Sequence, residues 1–174
     1  MAILSTFTII RTISLFHITA AYFFLTAPQK LADQNVVFML GESMRLPHAT
    51  SLVKPSESSA FIGVVLAFLG ISDLTAANMN EETGLQYWLA IVPARLTFLF
   101  SLTAYTYLFK EDGMFGSGPR QHGRIGENVQ NSLVFSFGFF ELAMWFWVFT
   151  SLREDRRRIV RKRVEQLKAD EDRL

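Results

Sequence analysis

One apolar stretch near the carboxyl end limits the folds open to this chain more than any other feature. Residues 132–152 form a nearly uninterrupted apolar segment, and ~20 such residues in a helix cross the ~30 Å hydrocarbon core of a bilayer. A basic run follows directly, since nine of the 17 Lys and Arg residues lie between Arg153 and Arg173. A span that is stopped by positive charge is typical of an integral membrane protein.

The hydropathy pattern predicts an all-α fold: an integral membrane four-helix bundle with a short interfacial helix after the first span and a basic C-terminal helical tail. The four spans are predicted over about residues 3–26, 60–78, 86–109 and 131–152. The interfacial helix is predicted over about residues 33–46, capped by Asp33, because its apolar run is too short to cross a bilayer. The chain then divides into a transmembrane domain, residues 1–152, and a basic amphipathic cytosolic tail, residues 153–174.

Several residues within and between the spans predict local features of the fold. Gly63 and Gly70 lie seven residues apart in the second span, and small residues at this spacing allow a neighbouring helix to approach closely. The short connection that follows predicts an antiparallel hairpin of the second and third spans. Pro93 predicts a kink in the third span, and Trp88 suits a membrane interface. Residues 110–130 hold five glycines, which predicts a flexible loop.

The charge distribution predicts the topology. Four spans place both termini on one side of the membrane, and the basic tail assigns that side to the cytosol. The two long loops, 27–58 and 110–130, then face the lumen although each holds three Lys or Arg residues. The charge of the tail outweighs that of the two loops in this prediction, because its nine positive charges directly adjoin a span.

Four charged residues lie within the predicted spans: Arg11, Asp73, Arg95 and Glu141. At ~1.5 Å per residue, all four fall roughly 8 to 17 Å below the cytosolic surface. A lone charge near mid-bilayer costs at least ~2.5 to 3.5 kcal/mol, so we predict that these residues pair as an intramembrane charge network. The structural interpretation is that the pairs hold four helices in register. The functional one is a polar cavity for a lipid headgroup or an ion.

The remaining polar residues indicate no metal or cofactor site. The chain has no cysteine, and His17 is interpreted as a buried, hydrogen-bonded histidine rather than a metal ligand. The basic residues of the tail directly adjoin a hydrophobic span, which favours anionic lipid rather than nucleic acid as their partner. The predicted lipid-binding residues are Arg156, Arg157, Arg158, Arg161, Lys162 and Arg163. The run from 161 to 163 is alternatively an arginine-type retention signal for the endoplasmic reticulum.

Four stretches carry a resemblance to a known family. They are LP at 46–47, GISDL at 70–74, YWLAIVPARLTFLF at 87–100, and LVFSFGFFELAMWFWVFTSLRE at 133–154. With an Asp, a Pro-x-Arg and a Glu in successive spans, the chain resembles the fungal "increased loss of mitochondrial DNA" membrane proteins. The resemblance implies a four-span resident of the endoplasmic reticulum with an indirect link to mitochondrial DNA and no established enzyme activity.

Three functional hypotheses follow. The first is a non-enzymatic accessory or structural subunit of a larger endoplasmic-reticulum membrane complex, in lipid handling or membrane-protein biogenesis, with membrane lipids and other membrane subunits as partners. The second is a small transporter or channel whose polar site is formed by Asp73, Arg95 and Glu141. The third is a lipid-modifying enzyme with Glu141 as general base. No Ser/His/Asp set, metal-ligand cluster or phosphate loop accompanies that residue.

Overall fold

The computed structural model describes residues 5–110, 113–115 and 126–171, and its regular structure is helical throughout this part of the chain. Four helices are long and apolar enough to cross a membrane, which confirms the predicted fold class. They are α1 (Thr6–Thr26), α4 (Glu57–Ala76), α5 (Glu81–Leu108) and α6 (Ser132–Glu171). Two short helices, α2 (Gln29–Ala32) and α3 (Asn35–Met44), follow α1, and single 3₁₀ turns cover Thr50–Leu52 and Glu127–Val129.

The segment after α1 contains the predicted short helix with a different cap. Helix α3 begins at Asn35 after Gln34, which makes no side-chain cap hydrogen bond. Asp33 instead ends α2, and its carboxylate lies 3.3 Å from His48, so the prediction of Asp33 as the cap is wrong. Arg45 closes α3 in the left-handed region, with φ of 52°. Whether α3 lies in a membrane interface stays a prediction.

Helix α4 begins where its sequence supplies a capping box. The Ser56 hydroxyl accepts a hydrogen bond from the Ser59 amide at 3.1 Å, and the Ser59 hydroxyl accepts one from the Ser56 amide at 2.9 Å. Two donors that the first helical turn would leave unpaired are thereby satisfied. The helix therefore starts at Glu57, a few residues before the apolar segment from which the second span was predicted.

The closely packed helix pairs are α1 with α4 and α5 with α6. A Cβ added to Gly70 would lie 2.8 Å from the Ser14 carbonyl oxygen, and one added to Gly63 would lie 3.0 Å from that of Ala21. The glycines therefore let α4 touch the backbone of α1, as small residues do in membranes. Consecutive helices α4 and α5 come close at few backbone positions, so the predicted hairpin is not a closely packed pair.

Helix α6 links the bundle to the tail without interruption. Its 40 residues run from Ser132 through the predicted span boundary at 152 to Glu171. Helix α5 likewise continues through Pro93, so the kink stays a prediction. Most of the predicted loop at 110–130 lies outside the described residues.

One end of the bundle, which we call the turn end, gathers the start of α1, the turn at 77–80 and residues 151–159 of α6. The Thr6 hydroxyl donates to the Asp155 carboxylate at 2.6 Å, and Arg163 of α6 pairs with Glu82 of α5. The start of α1 and the start of the tail thus share one end, as an even number of spans requires. The opposite end carries α2 and α3, which pack against α6.

Candidate functional site

The best-defined polar contact inside the bundle joins α4 to α5. The Arg95 guanidinium donates two hydrogen bonds to the two carboxylate oxygens of Asp73, each at 2.6 Å. Asp73 is 1% exposed, whereas 23% of the Arg95 side chain is exposed. Two parallel bonds of this kind satisfy both oxygens of the acid and fix the relative orientation of the groups. The pair links two helices whose backbones are otherwise well separated.

The opposite side of Arg95 lies against two tryptophans. Its guanidinium carbon is 4.6 Å from the ring centroid of Trp145 and 5.6 Å from that of Trp88. The two indoles stack on each other with centroids 5.6 Å apart. A cation over an indole face is attracted by the ring quadrupole. Trp88 is fully buried, so its prediction as an interfacial anchor is wrong, because the stack places it in the core.

Glu141 is the centre of a second buried cluster, between α6 and α1. The Trp145 indole N–H donates to one carboxylate oxygen of Glu141 at 2.8 Å. The other oxygen lies 3.0 Å from Nε2 of His17. All three residues are buried, which agrees with the interpretation of His17 as a hydrogen-bonded core histidine.

The contacts of His17 indicate where its proton lies. Its Nδ1 is buried and has no hydrogen-bond partner among the described residues. A proton on Nδ1 would therefore be a buried donor without an acceptor, which costs more free energy than a buried unprotonated nitrogen without a donor. We assign the proton to Nε2, from which it is donated to Glu141. Glu141 is then an acid held by two neutral N–H donors, with no cation in direct contact.

These contacts form one polar chain, which runs Asp73, Arg95, Trp145, Glu141, His17. It takes residues from all four spanning helices, in the order α4, α5, α6, α6, α1. Each of the four carboxylate oxygens already accepts a hydrogen bond. Such an arrangement fixes helix positions, because every acid oxygen is held by a buried or partly buried side chain of the bundle.

Arg11 lies apart from this polar chain. Its guanidinium donates to the carbonyl oxygen of Ala77 at 3.1 Å, and Ala77 is the C-terminal cap of α4. Carbonyls at a helix end lack helical partners and attract positive charge. The structure therefore brings together Asp73 and Arg95 of the four predicted charges and gives Arg11 and Glu141 other partners. This corrects the expectation of one mutually paired set.

Sequence reasoning missed the tryptophan link and the partner of Glu141. Trp145 lies one helical turn after Glu141, and residues four apart share a helix face. That spacing could have indicated the hydrogen bond. His17 was recognised as buried, but pairing was considered only among charged residues, so a neutral donor at similar depth was overlooked.

The predicted lipid-binding residues all lie on the part of α6 beyond residue 152. Arg156, Arg157, Arg158, Arg161, Lys162 and Arg163 are all exposed. Arg158 lies 3.7 Å from Asp155, and Arg163 pairs with Glu82. The apolar residues of the same segment, Val160, Val164 and Leu167, are also exposed.

A cavity of about 290 Å³ opens at the turn end. None of the four predicted intramembrane charges lines it. Around Arg95, paired side chains and two indole rings occupy the space, and a polar cavity around the four charges stays a prediction.

Comparison with known proteins identifies relatives over most of the chain. The sequence profile of the family described as "Ilm1: Increased loss of mitochondrial DNA protein 1" matches residues 4–162. "Protein ilm1" of Schizosaccharomyces pombe is 27% identical over 148 residues, 84% of this chain and 81% of the relative. "Protein ILM1" of Saccharomyces cerevisiae is 24% identical over 157 residues, 90% of this chain and 68% of the relative. No solved structure matches. The sequence resemblance is thus confirmed, and the chain belongs to the Ilm1 family.

Proposed function

We propose that this protein is a non-enzymatic accessory subunit of a larger membrane assembly in the endoplasmic reticulum. The assembly would handle lipids or support membrane-protein biogenesis, and its effect on mitochondrial DNA maintenance would be indirect. Two findings support a membrane role in that process: four helices can span a bilayer, and the family is named for loss of mitochondrial DNA.

The single observation that carries the proposal is that both buried acids are held by side chains within the bundle. All four carboxylate oxygens of Asp73 and Glu141 accept hydrogen bonds within the bundle. An ion-conducting site or a general base must be reached by its ion or substrate. Asp73 is 1% and Glu141 5% exposed, and this burial supports a structural role for the polar chain.

The outer face of α4 supports association with other membrane subunits. Phe61 and Phe68 are each 70% exposed, and Val64 and Ile71 on the same helix are exposed as well. In a bilayer such a face contacts lipid or the helix of another protein. Large aromatic side chains in this position favour a protein contact, because they provide much packing area.

The decisive experiment is purification of the tagged native protein in mild detergent, followed by mass spectrometry. We expect a protein partner in stoichiometric amount. Replacing both Phe61 and Phe68 by Ala should reduce recovery of the partner without lowering the amount of this protein. Replacing Phe98 and Phe100 of α5, which are 65% and 66% exposed, is the control, because residues two apart do not share one face of a helix. Repeated recovery of a lone monomer would contradict the proposal.

The cytosolic placement of both termini is part of the same proposal. It is supported by the shared position of the α1 start and the tail at the turn end and by the nine positive charges that follow the fourth span. Protease digestion of sealed microsomes should remove epitope tags at both ends. Protection of either tag would contradict it. The exposed basic residues of the tail would then meet anionic lipids of the cytosolic leaflet.

A second candidate, a small proton-coupled transporter, is favoured by one feature. His17 and Glu141 form a buried protonatable pair without a permanent cation in contact, and Nδ1 of His17 is unbonded among the described residues. Reconstituted into liposomes, the protein would then change internal pH, and Glu141→Gln would abolish that change at unchanged protein level. Absence of flux, together with no mass change in lipids incubated with pure protein, is the expected result for a structural subunit.

A further inference from the structure

The part of α6 beyond the fourth span carries an apolar face that the described residues leave exposed. Val160, Val164 and Leu167 are 52%, 45% and 67% exposed. Their spacing of four and then three residues places them in one line along the helix. We call this line the tail seam. A line a single residue wide is typical of a helix that packs against one other helix.

The tail seam lies beyond the membrane that the protein itself spans. Helix α6 is unbroken from Ser132 to Glu171, so the tail continues the course of the fourth span. With the predicted span ending at residue 152, the seam begins ~12 Å and ends ~22 Å farther along the helix. The headgroup layer adds only ~5 to 7 Å on each side of the hydrocarbon core. About the first turn of the tail reaches that layer, and the seam does not.

Two contacts keep the tail in this direction. The Thr6 hydroxyl donates to the Asp155 carboxylate at 2.6 Å, and Arg163 pairs with Glu82. They join the tail to the starts of α1 and α5, one contact before Val160 in the chain and one after it. An unbroken helix with these two contacts holds its seam away from the bilayer surface. Lipid of the same membrane therefore fits the seam poorly as an occupant.

Positive charge borders the tail seam on both sides. The basic residues three or four positions from a seam residue are Arg156, Arg157, Arg161, Arg163 and Lys168, all of them exposed. Arg163 pairs with Glu82, whereas the other four form no ion pair with the described residues. The acids at such positions, Asp170 and Glu171, both follow Leu167. Residues that border a seam select the partner helix by charge, so this border fits a partner with acids beside its own apolar line.

A second copy of this chain in the same membrane does not fit this border. Its tail would point the same way, so Arg156 would lie beside Arg161 of the second copy, and Arg163 beside its Lys168. Like charges at these positions act against pairing. The charge pattern therefore favours a different protein.

We propose that the tail seam binds an acidic amphipathic helix of a cytosolic protein. Val160, Val164 and Leu167 pack against the apolar line of that helix, and the unpaired basic residues of the border contact its acids. The proposal rests on the proposed cytosolic placement of the tail, but it does not need the membrane contact proposed for α4. It adds a soluble partner to the membrane assembly.

Site-specific photocrosslinking in native membranes identifies the occupant. A benzophenone amino acid takes the place of Leu167 in the full-length tagged protein, and mass spectrometry of the crosslinked peptides identifies what was captured. We expect an acid-rich segment of another protein. The same amino acid at Glu165 should capture it at least about 5-fold less, because residues two apart do not share a helix face.

Every other result of this experiment contradicts the proposal. A crosslink from Leu167 to phospholipid would assign the seam to a membrane, and one to the same chain would assign it to a second copy. A captured segment without an excess of acids would remove the charge argument. Equal capture from Leu167 and Glu165, or none from either, would show that the seam has no specific occupant.

Two adjacent charge reversals test the border of the seam. Arg161→Glu should lower the Leu167 crosslink about 10-fold or more, because an attractive contact with the acidic helix becomes repulsive. Lys162→Glu makes the same change of charge on the other side of the helix and should lower it less than about 2-fold. Both are compared at equal protein level in the membrane fraction. Equal losses would mean a general charge effect and would overturn the assignment.

Failure here and failure of the subunit proposal are distinguishable. Replacing Phe61 and Phe68 by Ala should leave the Leu167 crosslink unchanged, since the two surfaces are on different helices. A membrane partner that is recovered without any tail crosslink retains the subunit role and removes the tail site. A tail crosslink on a protein that is otherwise recovered as a lone monomer retains the tail site and removes the contact proposed for α4.

Discussion

Two acids are buried in the same bundle, and they are neutralised in different ways. Asp73 receives both donors from one permanent cation, Arg95, through two bonds of 2.6 Å. Glu141 receives one donor from Trp145 at 2.8 Å and lies 3.0 Å from His17, and neither partner is a permanent cation. The first acid is compensated by charge, and the second by hydrogen bonds alone.

This difference predicts which of the two contacts contributes more to the stability of the fold. Removing one partner of a buried ion pair leaves a full charge without compensation, whereas removing one hydrogen-bond donor leaves the other in place. The α4–α5 contact should therefore be the more sensitive one. Substitutions of the partners of the two acids, each compared with an exposed control, test whether stability falls more when the partner of Asp73 is lost.

The largest effect is expected for Arg95→Met. It leaves the Asp73 carboxylate buried and unpaired, which should lower the free energy of unfolding by about 3–5 kcal/mol. Denaturant titration of the purified protein in mild detergent measures the change. Arg11→Met is the control, since it removes a single bond to a backbone carbonyl and should cost about 0.5–1.5 kcal/mol. Equal losses for the two variants would show that Asp73 needs no cation.

The double variant Asp73→Leu, Arg95→Met tests whether the loss of stability comes from the unpaired Asp73 carboxylate. A buried ion pair replaced by apolar residues of similar volume is often neutral for stability, so most of the loss should be recovered. A double variant as unstable as Arg95→Met would show that the tryptophan stack itself depends on the guanidinium.

An intermediate effect is expected for His17→Leu. It removes one of two donors to the Glu141 carboxylate, and a hydrogen bond to a charged group contributes about 1.5–3 kcal/mol. The same titration applies, with Phe16→Leu as control, because Phe16 is exposed and should change stability by less than about 0.5 kcal/mol. A loss as large as that of Arg95→Met would mean that His17 carries a positive charge.

A similar or slightly smaller effect is expected for Trp145→Phe. The ring stays in place under Arg95, but the N–H donated to Glu141 is lost, and because the acceptor is again the charged carboxylate, the cost should lie in the lower part of the same range of about 1.5–3 kcal/mol. Trp147→Phe makes the same chemical change at an exposed position. Thermal unfolding followed by tryptophan fluorescence compares the two. Indistinguishable midpoints would show that the indole N–H of Trp145 contributes nothing to the Glu141 site.

The smallest effect is expected for Arg163→Gln, which breaks the pair with Glu82. Both side chains are more than half exposed, and exposed ion pairs contribute about 0–1 kcal/mol. This pair has the same chemistry as Asp73–Arg95 without the burial. Unfolding midpoints at low and high salt should barely differ between variant and wild type. A loss comparable with that of Arg95→Met would mean that burial does not set the hierarchy.

The spanning helices were predictable because a bilayer accepts few solutions. Long apolar segments must be helical there. Similar depth predicted that Arg11, Asp73, Arg95 and Glu141 pair, but it did not identify Arg95 as the partner of Asp73. Which helices pack together was harder to predict from the sequence. Gly63 and Gly70 indicate that some helix packs closely against α4, but they do not identify that helix as α1. Trp88 could not be placed, because hydropathy does not distinguish a lipid-facing indole from a stacked one. Glu141 was paired wrongly because neutral donors were not counted with the charges.

The unbroken course of α6 couples the polar chain mechanically to the tail. From Leu152 to Glu171 the helix extends ~28 Å at ~1.5 Å per residue, and Glu141 and Trp145 lie on the same rod. Turning the tail about its axis must turn these two side chains as well. A protein that bound the tail and rotated α6 would therefore change the contacts with His17 and Arg95.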